Sequence, residues 1–177
     1  MKKVRVATIW LDGCSGCHMS VLDMDAGVIA LAGKIDLVYG PLVDAQEFPE
    51  AVDVTLVEGA VSSAEDLHKL QTVRLRSHLL IALGDCAVTS NVPCMRNTIP
   101  VNRLLQRVYV EGADEGKGVP TEGVPSLLKQ ARPLQEFVKV DLHLPGCPPP
   151  AKTILAVING LLGDGKSPAP STTMKFG

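Results

Sequence analysis

Apolar positions along the chain fall into short runs rich in β-branched residues, separated by stretches with helical spacing. Residues 3–10 are mostly apolar, which fits a strand covered on both faces. Beyond them Met19, Val21, Leu22, Val28, Ile29 and Leu31 recur at helical spacing, and Gly33 stops the pattern. Residues 35–39 form a second strand-like run closed by Gly40-Pro41. A third, 53–57, ends at Glu58-Gly59. Ser62 or Ser63 is placed to cap the following helix, with Glu65 and Asp66 in its first turn. Leu67, Leu70 and Leu75 are expected on its buried side. Residues 79–83 are the fourth strand and run into Gly84-Asp85-Cys86.

The second half is less regular. Residues 87–100 carry Thr, Ser, Asn and two prolines and read as loop. Residues 101–110 read as helix, with a strand as the competing pattern. Residues 111–123, rich in Gly and acid, read as a surface loop. A short helix is expected over 125–132. Over 137–144, Val138, Val140, Leu142 and Leu144 alternate as in a last strand, which leads into Pro145-Gly146-Cys147-Pro148-Pro149-Pro150. A closing helix is expected over 150–162, and an extended Gly-, Ser- and Pro-rich tail over 163–177. No internal repeat is visible. Strands alternating with helices predict an α/β fold in a single domain, residues 1–162. The expected architecture is flavodoxin-like: a mainly parallel sheet with helices on both faces.

Composition narrows the function classes. The 177 residues are 46% hydrophobic and 20% charged, too apolar for disorder, and a net charge of −2 gives no basis for binding nucleic acid. No apolar stretch is long enough to span a membrane. The first residues, Met-Lys-Lys-Val-Arg, lead straight into a strand with no export pattern, so a cytoplasmic location is expected. There cysteines are more often metal ligands or redox groups than bridges. Five cysteines is an odd number, which suits four ligands and one bystander. With only 3% aromatic residues, the core must be built from Val, Leu, Ile and Ala.

In a sheet of this kind the loops after the strands emerge at one edge, where ligands bind. Cys14 and Cys17 follow the first strand, Cys86 the fourth and Cys147 the fifth, so fold logic gathers these thiols at one rim. Cys94, after Pro93 in a longer stretch, is expected to be a packed free thiol. Four thiolates can hold an iron–sulfur cluster or a zinc ion. Structural zinc usually uses two compact pairs. One pair and two distant single cysteines favour a cluster, and zinc remains the alternative. Cys14-x-x-Cys17-His18 also matches a haem attachment pattern, and the pair follows a strand as a thioredoxin-like dithiol does. Both leave Cys86 and Cys147 unexplained. Flavin would suit the fold, but its phosphate loop wants hydroxyls where this turn has thiols. Backbone N–H groups of Gly13, Gly16 and the helix start are expected to offset the charge of a cluster. Glu58 ends a strand at the same rim. His18 and His143 are read as structural, Asp12 and Asp85 as turn formers, Met19 and Met24 as core or interface.

Cys14-Ser-Gly-Cys17, Val57-Glu58-Gly59, Gly84-Asp-Cys86-Ala87 and Pro145-Gly146-Cys147-Pro148-Pro149 together resemble, in order, the signature segments of nickel–iron hydrogenase small subunits. The run from Gly16 to Asp23 looks most like the soluble, NAD-reducing type. The iron–sulfur subunit of respiratory complex I is a more distant relative, with adjacent cysteines in the first motif. The resemblance implies one 4Fe–4S cluster on Cys14, Cys17, Cys86 and Cys147. It implies a large subunit with the nickel–iron centre, and diaphorase subunits with FMN and further clusters that reduce NAD. It implies a role for Glu58 in a proton route or at the interface. The two additional clusters of periplasmic small subunits are not expected. The remaining alternatives are a cluster- or zinc-stabilised assembly scaffold, a dithiol reductase, and an iron–sulfur subunit of another hydrogenase or a complex I-like assembly.

Overall fold

Alternating burial along the strands fixes the layers. The computed structural model describes residues 3–163. The expected tail therefore lies outside the described residues, apart from Gly163, which ends the last helix. Strands β1 (Val4–Trp10), β2 (Ile35–Tyr39), β3 (Val52–Glu58), β5 (Ser77–Leu83) and β7 (Leu142–Leu144) form a parallel sheet in the order β2-β1-β3-β5-β7. Among its own strands that order is the flavodoxin-like one, as expected. The intervening β4 (Val61–Ser63) leaves it to pair antiparallel with β6 (Leu127–Arg132) in a second, two-stranded sheet.

On β5, Leu80 and Ala82 face one core while Ile81 and Leu83 face the other. This period of two places helices on both faces. Helix α3 (Ala64–Arg76) supplies Leu70 and Val73 to the first core. Helices α1 (Gly16–Leu22), α2 (Ala26–Ala32) and α6 (Ala151–Gly163) cover the second with Cys17, Leu31, Ile154, Val157 and Ile158. Ser63 caps α3 through a reciprocal pair: its hydroxyl accepts the Asp66 N–H at 3.0 Å, and the Asp66 carboxylate accepts the Ser63 N–H at 2.9 Å. Among the described residues no helix is long and apolar enough to cross a membrane.

Five local expectations are corrected. The stripe over 19–31 is two helices, separated at Asp25, whose φ is +48°. Its face is largely open, with Ile29 78% exposed, because α1 turns Cys17 and Ser20 inward instead. Leu75 is 86% exposed: it lies five residues beyond Leu70, well round the helix, and Val73 takes the inner position. Residues 87–100 are not plain loop. They hold α4 (Asp85–Thr89) and a 3-10 turn, Val92–Thr98. Residues 127–132 are strand rather than helix, because β4 offers an edge and Asn97 binds both the N–H and the carbonyl of Ala131 at 2.8 Å. The last strand is only Leu142–Leu144. Before it Asp141 breaks the ladder by accepting the Leu80 N–H with its carboxylate, and Val138 and Val140 pack beside the core. Residues 101–110 form α5 (Val101–Gln106) followed by a π-turn, Arg107–Glu111.

Candidate metal centre

The rim is assembled loop by loop. After β1, the Leu11 N–H donates to the Glu58 carbonyl, and Asp12 and Ala60 exchange two backbone hydrogen bonds at 3.1 and 2.8 Å. The chains can lie this close because Gly59, at φ +91°, has no Cβ: one would press on Leu11 and Asp12 backbone atoms at 2.8–2.9 Å. Cys14 is exposed in this loop. Cys17 sits in the first turn of α1 and is 8% exposed. Cys86 is the second residue of α4, directly after β5. Cys147 is exposed after β7, with a cis bond to Pro148.

Protein groups lace these loops together. The Gly84 N–H donates to the Leu144 carbonyl at 2.8 Å and the Asp85 N–H to the Gly146 carbonyl at 2.9 Å. The Gly146 N–H returns to the Asp85 carboxylate at 2.7 Å. Asp85 is thus a buried tie between the Cys86 and Cys147 loops, more than the turn former expected. Ser20 donates from α1 to the Pro149 carbonyl at 2.5 Å. Gly84 is required by contact: a Cβ there would collide with the Cys17 sulfur. Neither Asp85 nor Ser20 was identifiable from motif spacing as a loop tie.

The two inner thiols feel both burial and their neighbouring sulfurs. Burial pushes the Cys17 thiol well above its ordinary range, and negative charge on Glu58, Cys86, Cys14 and Cys147 pushes the same way. Burial, then Cys147 and Cys14, push Cys86 up to about 11, while a Val92 N–H donated to it acts oppositely. Cys94 is outside this set. It lies in the 3-10 turn and its S–H donates to the Asn91 carbonyl at 2.9 Å.

Glu58 is 2% exposed. Its Oε2 accepts the His18 N–H at 2.9 Å and meets His18 Nδ1 at 2.5 Å. One of the expected charge-offsetting N–H groups at the α1 start is therefore committed to Glu58. His18 Nε2 is buried with no hydrogen-bond partner among the described residues. His143 lies in β7 opposite Ala82, away from this pair.

What can such a site hold? Among the described residues no three His, Cys, Asp or Glu side chains stand close enough to hold a single metal ion. A tetrahedral zinc with bonds of about 2.3 Å needs its sulfurs about 3.8 Å apart. A cube of four irons, one per thiol, spreads its ligands wider. An all-sulfur donor set on three separate loops suits the cube. The Asn91 amide, which donates to Cys147 Sγ at 3.6 Å, was not foreseen and adds a polar contact to one of these sulfurs.

Comparison with known proteins agrees in direction. The family model for NADH ubiquinone oxidoreductase, 20 kDa subunit, matches residues 14–161. One subunit of the F420-non-reducing hydrogenase vhu from Methanocaldococcus jannaschii is 39% identical over 89% of this chain. The chain spans 57% of that relative's length. The delta subunit of the NAD-reducing hydrogenase HoxS from Cupriavidus necator is 36% identical over 98% of this chain and 86% of its own. A crystal structure of a NAD+-reducing nickel–iron hydrogenase in the hydrogen-reduced state contains a chain that superposes with TM-score 0.93 at 37% identity, covering 99% of this chain and 100% of its own. A nickel–iron–selenium hydrogenase from Dm. baculatum shares the fold at TM-score 0.63 and 18% identity, covering 97% of this chain and 67% of its own.

Proposed function

The chain belongs to the NADH ubiquinone oxidoreductase 20 kDa subunit family, among the nickel–iron hydrogenase small subunits, and from that membership we propose that it is the electron-transfer subunit of a NAD-reducing hydrogenase. In this reading Cys14, Cys17, Cys86 and Cys147 hold one 4Fe–4S cluster. A large subunit with the nickel–iron site covers the rim, and diaphorase subunits carrying FMN and further clusters complete a cytoplasmic complex. The cluster, when bound, supplies one-electron uptake and release. The chain's own part is to bury Cys17, fix the three loops through Asp85 and Ser20, and leave Cys14 and Cys147 facing outward toward partners. Glu58 and His18 are proposed to hold one proton between Oε2 and Nδ1 at the rim, on a proton route or at the subunit contact. All five cysteines are free, as a reducing compartment requires.

The observation that supports this is the lacing of the Cys17, Cys86 and Cys147 segments at one rim by the Gly84, Asp85, Gly146 and Ser20 hydrogen bonds, with Cys94 engaged separately in the 3-10 turn. Anaerobic purification of the native complex tests it. The expected result is a brown protein with an EPR signal after dithionite, iron without nickel in this chain, and nickel in a co-purifying chain. Cys86→Ala and Cys147→Ala should lose or alter that signal. A colourless, EPR-silent chain containing zinc would establish the assembly scaffold instead. Full activity of both variants in a dithiol assay would establish the reductase. The 39% identity to a component of an F420-non-reducing hydrogenase favours a second reading, in which another acceptor replaces NAD. Hydrogen-dependent NAD reduction by the purified complex decides between them.

A further inference from the structure

The fifth cysteine and the residues before it are the part of the rim that the ligand assignment leaves unused. Helix α4 ends at Ser90, which is left-handed at φ +66°, and Asn91 follows at φ +24°. This reversal brings the next residues back over the ligand loops. From it, Asn91 Nδ2 donates to Cys147 Sγ at 3.6 Å, across 56 residues of sequence. The neighbouring Val92 N–H favours negative charge on Cys86. One turn thus bears on sulfurs of two different loops.

The turn is itself held on both sides. The Cys94 S–H donates to the Asn91 carbonyl at 2.9 Å, and the Cys94 N–H donates to the Ser90 carbonyl at 3.1 Å. The backbone from which the Asn91 side chain projects is therefore held by two hydrogen bonds while the amide faces Cys147.

We propose that Asn91, latched by Cys94, is a positioning residue that donates an N–H to the Cys147 sulfur and thereby raises the reduction potential of the cluster. This rests on the cluster reading above. Reduction adds one electron and no proton, so the added negative charge is shared among the core and its four ligand sulfurs. An N–H aimed at one of them stabilises the more negative, reduced form and shifts the potential upward.

The test is an EPR-monitored redox titration of the anaerobically purified native complex, with iron content measured alongside. Dithionite supplies the electron and is oxidised to sulfite. Asn91→Leu removes the donor at similar size, and its midpoint should move to more negative potential than the wild type. Asn91→Asp replaces the donor by a carboxylate and should move it further the same way. Cys94→Ala keeps the amide but removes one of the two hydrogen bonds that hold its backbone, and should give a smaller shift of the same sign. If Asn91→Leu fails to retain iron, the other two variants make the same comparison. Iron-loaded variants whose midpoints equal the wild type, or lie above it, overturn the proposal while leaving the cluster reading intact. A wild-type complex with no reducible signal from this chain overturns the cluster reading itself.

Discussion

Cys86 shows what four gathered thiols cost a single residue. An ordinary thiol near 9.0 is here pushed to about 11, first by burial and then by the charges of Cys147 and Cys14. The reactive form is the thiolate. At pH 8, below both values, two pH units mean about 100-fold less thiolate than a free cysteine carries. In the metal-free chain, alkylation of Cys86 by iodoacetamide, followed by mass spectrometry, should therefore be slow at pH 8. It should quicken about tenfold per pH unit until near pH 11. A Cys86 that alkylates at pH 8 as fast as free cysteine would refute the shared environment. The thiols themselves were legible in the sequence because each follows a strand whose end the apolar pattern marks. Glu58 was legible for the same reason, although its burial was not. Asp85, Ser20 and Asn91 were not legible as rim residues. Their partners lie 61, 129 and 56 residues away, and Asp, Ser and Asn in turns have commonplace local uses.

At the level of elements, reading succeeded where the signal was local and failed where a distant partner decided. Helix α3 was placed correctly because its cap and first-turn acids lie within four residues of one another. Its inward face was only half right, and that difference is measurable. Leu70 is fully buried in the first core, so Leu70→Ala should cost about 2–5 kcal/mol in a urea melt. Leu75, mostly exposed, should cost within about 0.5 kcal/mol when truncated, beyond the small gain in helix propensity. Equal losses at the two positions would put the wrong face of α3 against the sheet. Strand β6 was misread because its sequence carries no decisive period. Only the free edge of β4 and the Asn97 side chain make it extended. The split of the 19–31 stripe has a similar origin. The α1 face turned to the core bears Cys17 and Ser20, residues chosen for the rim rather than for an apolar stripe.

For the molecule as a whole, the question is whether the metal builds the fold or the fold builds the site. Two cores flank the parallel sheet, and each holds a dozen or so buried side chains, nearly all unrelated to the thiols. At the far end of the sheet, Arg74 binds the Asp141 carboxylate at 2.5 Å and the Ser77 and His78 carbonyls at 2.5 and 3.0 Å. Burial disfavours that carboxylate, but the Leu80 N–H and Arg74 more than compensate and hold its pKa below the usual range. The clamp is therefore intact at neutral pH and weakens only in acid, as the carboxylate is protonated. At the rim, the Gly84, Asp85 and Gly146 hydrogen bonds tie the Cys86 and Cys147 loops using protein groups alone. None of these ties uses a metal, so the fold is expected to stand without one, unlike a zinc finger, where folding and metal binding are one event. Chelation and anaerobic desalting should therefore leave the far-UV circular dichroism nearly unchanged and the thermal transition cooperative. Reconstitution with iron and sulfide should then raise the transition temperature, because a ligand bound only by the folded state stabilises it by about 2.7 kcal/mol at a hundredfold excess over Kd. A metal-free chain with the spectrum of an unfolded polypeptide would reverse the order of cause, making the thiol centre the organiser of the sheet rather than its product.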